Sequence, residues 1–318
     1  MVAQSEMDPM VRARLKPVEE PFPVQVKKFL YNKESGAVMG RTASSWAKII
    51  LFYIIFYIVL AALFSILMLI LYYTLDPRIP KYQLDESLIG TNPGVGFRPM
   101  PNDQTLSSLI WYRGTNRDDY AVWVDSLKDF VKEYKTPGLT PGRGQNLINC
   151  DYGHPVPEGK VCSFDVSKRF YPCVEENNFN YHHQKPCIFL KLNKIYGWKP
   201  EYYTKEDLPE KMPGTLMNTI RNITDANRLQ TVWLSCEGST AADVENLGEV
   251  QYLPQPGFPG YFFPYKNNEG YLPPLVAIVL QNPKTGILLN IECKAWAKNI
   301  RHDRKDKLGM VQFEVMID

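Results

Sequence analysis

Cysteine is the residue type in this chain whose number and position most clearly predict chemistry. All six cysteines follow a long apolar segment that begins at Ile49. An even number of cysteines on one side of such a segment is typical of an oxidising compartment, where they pair as disulfides. We therefore predict three disulfides, although spacing alone leaves fifteen pairings open. The cysteines are Cys150, Cys162, Cys173, Cys187, Cys236 and Cys293.

A second modification site lies on the same side of the apolar segment. Asn222-Ile223-Thr224 is the only Asn-x-Ser/Thr tripeptide in the chain. Such tripeptides accept N-linked glycans in secreted or extracellular segments. We predict that Asn222 is glycosylated, in agreement with the compartment that the cysteines indicate.

Other combinations of reactive residues do not complete a catalytic site. His182 and His183 are adjacent but lack the His-Glu-x-x-His spacing of a zinc peptidase. A Golgi glycosyltransferase usually holds its metal with an Asp-x-Asp pair. Asp118 and Asp119 are adjacent instead, and we interpret them as the start of a helix. Neither a Gly-x-Ser-x-Gly elbow nor a phosphate-binding loop is present. The sequence predicts no catalytic residue, no metal site and no cofactor.

One motif resembles the core of a phosphorylated pump without its reactive group. Asn282-Pro283-Lys284-Thr285-Gly286 is similar to the Asp-Lys-Thr-Gly core that forms an aspartyl-phosphate. Pro283 stands where the nucleophilic carboxylate would be, so the covalent step cannot occur. We interpret the segment as a hairpin turn.

The apolar segment is long enough to cross a bilayer. Ile49–Leu71 contains 23 residues without a charge, a glycine or a proline. At 1.5 Å per residue it spans ~34 Å, slightly more than the hydrocarbon core. The mean hydropathy of the whole chain is nevertheless −0.27, so we predict a single signal-anchor helix at residues 49–72 in membrane lipid. A net charge of +2 gives no indication of nucleic-acid binding.

The flanking charges predict the orientation of this helix. Basic residues are enriched before it and are mixed with acidic residues after it, which places the N-terminus in the cytoplasm. The preceding residues are Lys27, Lys28, Lys33, Arg41 and Lys48; those that follow are Asp76, Arg78, Lys81, Asp85 and Glu86. We predict a mostly disordered cytoplasmic tail at residues 1–48, because prolines are frequent and apolar periodicity is weak.

Two structural patterns follow the anchor. Prolines and glycines predict an extended stalk over residues 76–101, and helical spacing of apolar residues predicts an amphipathic helix over 118–135. Later segments alternate like strands, at residues 232–236 and 311–317, or form short apolar runs, at 187–192, 275–280 and 287–297. We predict an extracellular stalk and helix at 73–145 and a disulfide-bonded, immunoglobulin-like antiparallel β-sandwich at 146–318. The separation of Cys236 from Cys293 would suit a bridge between its two sheets.

Tyr53 and Tyr57 predict a contact inside the membrane. They are four residues apart, so they share one face of the anchor helix. A phenol in hydrocarbon requires a hydrogen-bond partner, and the small residues Ala61, Ala62 and Ser65 permit close approach of another helix. The alternative is an aromatic belt at the lipid interface.

A segment rich in aromatics and prolines, Tyr252–Tyr265, predicts a second contact. Prolines stiffen a loop and aromatic rings supply contact area, so both features suit binding to another protein. The alternative is a loop that packs on its own domain.

Several motifs together resemble one family, the β subunits of the Na,K-ATPase, which includes the β subunit of the gastric H,K-ATPase. The resemblance covers about residues 37–318 and includes all six cysteines in order. The matching motifs are Gly40-Arg41-Thr42 with Trp46, Phe52-Tyr53 and Phe56-Tyr57, Lys160-Val161-Cys162-Ser163-Phe164, Lys185-Pro186-Cys187-Ile188, Lys191-Leu192-Asn193-Lys194 with Gly197 and Lys199-Pro200, Pro256-Gly257-Phe258-Pro259, and Ile291-Glu292-Cys293-Lys294-Ala295.

The resemblance implies a non-catalytic subunit at the plasma membrane. It implies an obligate P-type ATPase α subunit, whose folding, delivery and K⁺ affinity the chain would influence, and a small FXYD-like regulatory subunit as a further partner. It also implies the disulfides Cys150–Cys162, Cys173–Cys187 and Cys236–Cys293. The implied α-subunit contacts are Tyr53, Tyr57, Phe262, Phe263 and Tyr265, while Lys266 replaces a tyrosine that the family usually has. The alternatives are an H,K-ATPase-type β subunit and a type II cell-adhesion glycoprotein.

Overall fold

The computed structural model describes residues 21–33, 35–101 and 108–318, which form two compact units that divide after Leu75. The helices are α1 (Phe22–Leu30), α2 (Ala43–Thr74), α3 (Arg117–Lys135), α4 (Arg143–Asn146), α5 (Gly214–Arg221) and α6 (Ala241–Leu247). The strands are β1 (Tyr31–Asn32), β2 (Ala37–Val38), β3 (Val95–Arg98), β4 (Leu109–Tyr112), β5 (Leu147–Ile148), β6 (Val161–Cys162), β7 (Cys187–Leu192), β8 (Thr231–Gly238), β9 (Val250–Leu253), β10 (Gly257–Pro259), β11 (Leu275–Leu280), β12 (Leu288–Trp296) and β13 (Met310–Ile317).

The first unit contains regular structure before the apolar segment. Helix α1 is followed by the antiparallel pair β1–β2, in which Tyr31 lies opposite Val38. The prediction of a mostly disordered tail is therefore wrong for its described part, residues 21–33 and 35–48, while residues 1–20 lie outside the described residues. Proline is compatible with the first turn of a helix, so Pro23, the second residue of α1, does not break it.

Helix α2 is longer than the predicted 49–72 at both ends. Its 32 residues correspond to ~48 Å. Within the described ranges it is the one helix that is long and apolar enough to cross a membrane, and none of its side chains is buried. A helix that is apolar on all sides has no polar face for water, which is the property of a membrane-spanning helix.

The second unit is built on two β-sheets. One has five strands in the order β10-β8-β12-β13-β4, and the other has four in the order β3-β7-β11-β9. All the neighbouring strands in these two sheets are antiparallel except β13 and β4, which are parallel. The prediction of a mainly-β domain is confirmed, while a purely antiparallel sandwich is wrong at that edge.

The core lies between the two sheets. The rings of Phe97 on β3 and Phe313 on β13 stack with centroids 4.8 Å apart, so they join one sheet to the other. All six residues of β11 are buried, and the predicted alternation of β13 is observed, with Val311, Phe313 and Val315 facing inward. Because β3 and β4 complete these sheets, the predicted division at residue 146 does not separate structural units.

Helix α3 confirms the helical pattern predicted for 118–135. The side chain of Asn116 caps it by accepting a hydrogen bond from the backbone N–H of Asp118. Leu127, Val131 and Tyr134 are buried as their spacing predicts, and the Tyr134 hydroxyl donates to the carbonyl of Pro273 at 3.0 Å. The helix is thus part of the core.

The three disulfides join Cys150 to Cys162, Cys173 to Cys187 and Cys236 to Cys293, the pairs that the resemblance implies. The predicted position of the third, between the sheets, is wrong. Cys236 and Cys293 lie directly opposite each other on β8 and β12 of the same sheet, with Cα atoms 4.0 Å apart. Neighbouring antiparallel strands bring such residues close enough for a bridge.

The prediction of a hairpin turn around Pro283 is wrong. Strands β11 and β12 on its two sides belong to different sheets. The backbone N–H of Lys284 donates to Asn246 O, and that of Gly286 donates to Ile317 O. The segment is therefore a connection between sheets.

Candidate partner-binding surfaces

Tyr53 and Tyr57 form one exposed pair on α2. Their ring centroids are 6.1 Å apart and the rings are nearly parallel. Half or more of each side chain is exposed, at 50% and 60%. Ala61 and Ser65 continue the same i, i+4 row along the helix. This row combines hydroxyl groups with small side chains, which suits packing against another membrane helix.

The aromatic-proline loop, Tyr252–Tyr265, has an inner part that serves its own domain. Phe258 and Phe262 are buried, at 0% and 3% exposure. The Tyr252 hydroxyl accepts a hydrogen bond from the backbone N–H of Cys236 at 2.7 Å, and burial raises the pKa of that phenol to about 12. The alternative prediction of a loop that packs on its own domain is therefore correct for these side chains.

The end of the loop is more accessible. Phe263 is half-buried, and its ring meets the ring of Trp198 edge-on at a centroid distance of 5.6 Å. Tyr265 is also half-buried, and its hydroxyl donates to Asn267 Oδ1 at 2.8 Å. Lys266 beside it is exposed. Of the three loop residues predicted to contact a partner, Phe263 and Tyr265 have accessible surface, whereas Phe262 is buried and its ring contacts Phe164 and Tyr261.

Neighbours that sequence reasoning did not identify hold Tyr265 in place. Its carbonyl accepts from the backbone N–H of Gly197 at 2.8 Å, and its ring lies 4.9 Å from that of Tyr271. Lys194 Nζ lies 5.3 Å from both ring centroids. Burial raises the pKa of Tyr265 and of Tyr271, so both rings stay uncharged beside the ammonium. The spacing of these residues along the chain gave no signal of this cluster.

A cleft of about 840 Å³ lies beside the loop. Its walls combine aromatic rings with charged side chains; they include Arg78, Tyr152, Tyr196, Tyr261, Phe263 and Glu269. Arg78 Nη2 pairs with Glu269 Oε1 at 2.6 Å, and Asn267 Nδ2 donates to the carbonyl of Arg78 at 3.1 Å. The start of the predicted stalk is therefore bonded to the segment that follows the loop.

The predicted glycosylation acceptor is accessible. Asn222 follows the last residue of α5 as its C-cap, and both Asn222 and Thr224 are exposed. An exposed position is the geometry that attachment of a glycan requires.

The described ranges contain no cluster of three or more His, Cys, Asp or Glu side chains that could hold a metal ion. His182 and His183 lie against each other, with ring centroids 3.8 Å apart. The pKa of His182 is lowered mainly by burial and to a smaller extent by the neighbouring imidazole of His183. This arrangement supplies two nitrogen ligands at most.

These features of the described residues define a class of protein, with one helix suited to span a membrane, a disulfide-bonded and mainly-β domain, and exposed aromatic residues on both. The sequence model of one family, described as the sodium/potassium ATPase beta chain, matches residues 19–313. The chain belongs to this family. Family membership and the apolar helix together indicate a membrane protein.

Named relatives agree with the family. The chain is 56% identical to sodium/potassium-transporting ATPase subunit beta-2 of Drosophila melanogaster, over 95% of each chain. It is 41% identical to subunit beta-1 of the same species, over 93% of this chain and 96% of the relative. It is 32% identical to a probable beta-3 subunit of Caenorhabditis briggsae, over 93% of this chain and 87% of the relative.

Proposed function

We propose that this chain is the non-catalytic β subunit of a Na⁺/K⁺-transporting P-type ATPase. The family match over residues 19–313 carries this proposal. The relatives described above are named as subunits of sodium/potassium-transporting ATPases, which favours this pump over an H,K-ATPase or an adhesion glycoprotein. In this role the chain assembles with an α subunit that performs ATP hydrolysis and ion transport.

The proposed topology has one membrane crossing. Residues 1–48 lie in the cytoplasm, 49–72 cross the plasma membrane, and 73–318 are extracellular. The excess of basic residues before the helix supports this orientation. The three disulfides and the exposed Asn222 support an oxidising, glycosylating compartment for the second unit.

The β-sandwich is proposed to be of the immunoglobulin-like kind. Sheets of four and five strands with one core between them support this proposal. The bridge between Cys236 and Cys293 lies within one sheet, so the domain differs from an antibody domain in the position of its disulfide.

The α subunit is proposed to contact both exposed surfaces. In the membrane it would pack against Tyr53 and Tyr57, whose phenols need hydrogen-bond partners in hydrocarbon. Outside, it would contact Phe263 and Tyr265 at the accessible end of the loop. A small FXYD-like regulatory subunit stays a prediction from the resemblance.

The proposed mechanism is assisted assembly. By covering polar and apolar surface of the α subunit, the chain supports α-subunit folding and delivery to the plasma membrane. Contacts that differ between the conformational states of the pump shift the populations of those states, and the K⁺ affinity changes with them.

Co-expression tests this function. The α subunit is expressed with and without this chain, and surface biotinylation measures its delivery while mild-detergent purification measures pairing. We expect a stoichiometric complex and a clear rise in surface α subunit when this chain is present. Equal delivery without the chain, or a chain that purifies alone from native membranes, would refute the proposal.

A further inference from the structure

Helix α1 has an apolar face that nothing else in the described chain covers. Phe22, Val26, Phe29 and Leu30 lie at spacings of four, seven and eight residues, so they share one side. Their exposed fractions are 78%, 40%, 55% and 53%. A helix of a soluble domain would bury such a face against its own core.

The opposite side of α1 is basic. Lys27 and Lys28 lie there, with Val24 between them on the helix surface. Residues 21–48 contain five basic residues and one acidic residue, Glu34. An apolar stripe that contains phenylalanine, opposed by lysines, is the pattern of a helix that lies in a lipid interface.

The end of α1 is bonded to the chain that leads into α2. The backbone N–H of Gly40 donates to Phe29 O, and that of Met39 donates to Leu30 O, each at 3.1 Å. Gly40 has a φ of +76°, and a Cβ there would lie 3.4 Å from the Phe29 ring. The glycine thus permits both the turn and the close approach of the ring.

The same connection reaches the start of α2. The indole Nε1 of Trp46 donates to the carbonyl of Val38 at 2.9 Å, so the β1–β2 hairpin is bonded to the first turn of that helix. Ile49, where the uncharged segment begins, comes six positions after Ala43, which is ~9 Å of helix. The end of α1 therefore lies at headgroup depth when α2 crosses a bilayer.

We propose that α1 is an interfacial helix: it lies along the cytoplasmic lipid surface, with Phe22, Val26, Phe29 and Leu30 among the acyl chains and the basic side chains at anionic headgroups. This goes beyond the proposed function and depends on it only for the side of the membrane. Charge complementarity and covalent continuity with the membrane-spanning helix favour lipid as the occupant of this face. Each basic residue near an anionic lipid surface raises the binding constant for that surface about fivefold.

Depth-dependent quenching in nanodiscs tests the proposal on the full chain. All six cysteines are in disulfides, so a single added cysteine accepts an environment-sensitive fluorophore. Val26→Cys labels the apolar face and Lys27→Cys labels the basic face one residue away. We expect doxyl-lipid quenching at position 26 to exceed that at 27 at least threefold, and more strongly with phosphatidylserine present than with phosphatidylcholine alone. Equal quenching and equal access to iodide at both positions would overturn the proposal.

Second substitutions provide a matched control. Phe29→Ser should reduce the quenching of the label at position 26 at least twofold, because it removes apolar contact with the acyl chains. Val24→Ser, on the opposite side of the helix, should leave it unchanged. If both serine variants have the same effect, the apolar face does not determine the position of the helix.

A complex with the α subunit separates lipid from protein as the occupant. If position 26 is lipid-quenched in the lone chain and in the complex, the proposal is supported. If it becomes inaccessible to lipid and to iodide in the complex, the face binds the α subunit and the proposal is wrong. Both faces of the nanodisc have the same lipid composition, so the quenching result does not depend on which side of the membrane the N-terminus occupies. The measurement on the lone chain does not depend on pairing with an α subunit. Failure of the interfacial-helix proposal can therefore be distinguished from failure of the proposed function.

Discussion

The ammonium of Lys194 lies 5.3 Å from the ring centroid of Tyr265, at the accessible end of the aromatic-proline loop. The same ammonium is equally close to Tyr271. A cation over two rings attracts both, with about 0.5–1 kcal/mol for each exposed contact. Lys194 is therefore a positioning residue for a tyrosine that we propose as a contact with the α subunit.

Substitution of Lys194 should weaken pairing with the α subunit without unfolding the domain. Lys194→Gln removes the cation and should lower the yield of co-purified α subunit about two- to fivefold, with a Tm change of a few degrees at most. Lys194→Arg keeps a cation over the rings and should retain pairing. Equal pairing of the glutamine variant and the parent chain would argue against this role.

The tyrosine pair of α2 should act through its hydroxyl groups. Tyr53→Phe with Tyr57→Phe should weaken pairing by about 0.5–1.5 kcal/mol, the usual strength of a hydrogen bond between membrane helices. The measurement is retention of the α subunit across a detergent series. Tyr72→Phe with Tyr73→Phe makes the same chemical change at the other end of α2 and serves as the control. If both pairs behave alike, Tyr53 and Tyr57 are belt residues.

Phe262 and Tyr265 should respond differently to truncation, because one is buried and the other is accessible. Phe262→Ala removes a side chain that is 3% exposed and should destabilise the domain by about 3–5 kcal/mol. Tyr265→Ala should reduce pairing while the Tm stays within a few degrees. Thermal unfolding and co-purification of both variants, side by side, test this difference. Loss of pairing without loss of stability in Phe262→Ala would contradict it.

The disulfides should differ in their contribution to stability. Cys236 and Cys293 are 57 residues apart, whereas Cys150 and Cys162 are 12 apart. Because closing a longer loop removes more chain entropy, loss of the longer link should cost ~1.4 kcal/mol more. Denaturant unfolding of the two double alanine variants measures the difference. A larger loss from the shorter link would show that chain entropy does not dominate here.

His302 should make the second unit less stable in mild acid. Its Nε2 lies 2.7 Å from the carbonyl of Ala295, and burial lowers the pKa of the imidazole despite that contact. The unfolded chain therefore binds a proton more readily than the folded chain. The contribution of the neutral, buried imidazole to the free energy of unfolding is fully present above the ordinary histidine pKa of about 6.5. It decreases as the pH falls below that value.

The test of this pH dependence is the variant His302→Gln, whose amide can still donate to Ala295 O. Its free energy of unfolding should change less between pH 7 and pH 5 than that of the parent chain. An unchanged slope in His302→Gln would rule out this histidine as the cause.

Local patterns predicted the two long helices and the strands of six residues or more. The alternation of β13 and the apolar run of β11 were recognisable because the order of apolar and polar residues along a strand matches which side chains are buried. Helix α3 was recognisable for the same reason. In contrast, β4 has four residues and pairs in parallel with the last strand, a contact between segments about 200 residues apart. No local pattern encodes such a pairing.

The candidate surfaces were predicted as segments rather than as side chains. The sequence identified Tyr252–Tyr265 from its composition, but the packing of two sheets decides that Phe258 and Phe262 turn inward. The row that begins at Tyr53 was predictable in detail, because helical periodicity alone places it. The position of the bridge between Cys236 and Cys293 was not, because it depends on which strands become neighbours.

Strand β3 has a practical consequence for preparing the extracellular part alone. This strand belongs to the proline-rich segment that was predicted to be an extended stalk. It pairs with β7, and its Phe97 ring stacks on the ring of Phe313. A truncated version that starts at residue 146 would leave an open sheet edge and an uncovered aromatic ring, both of which promote aggregation. Soluble expression therefore requires a start point upstream of Val95.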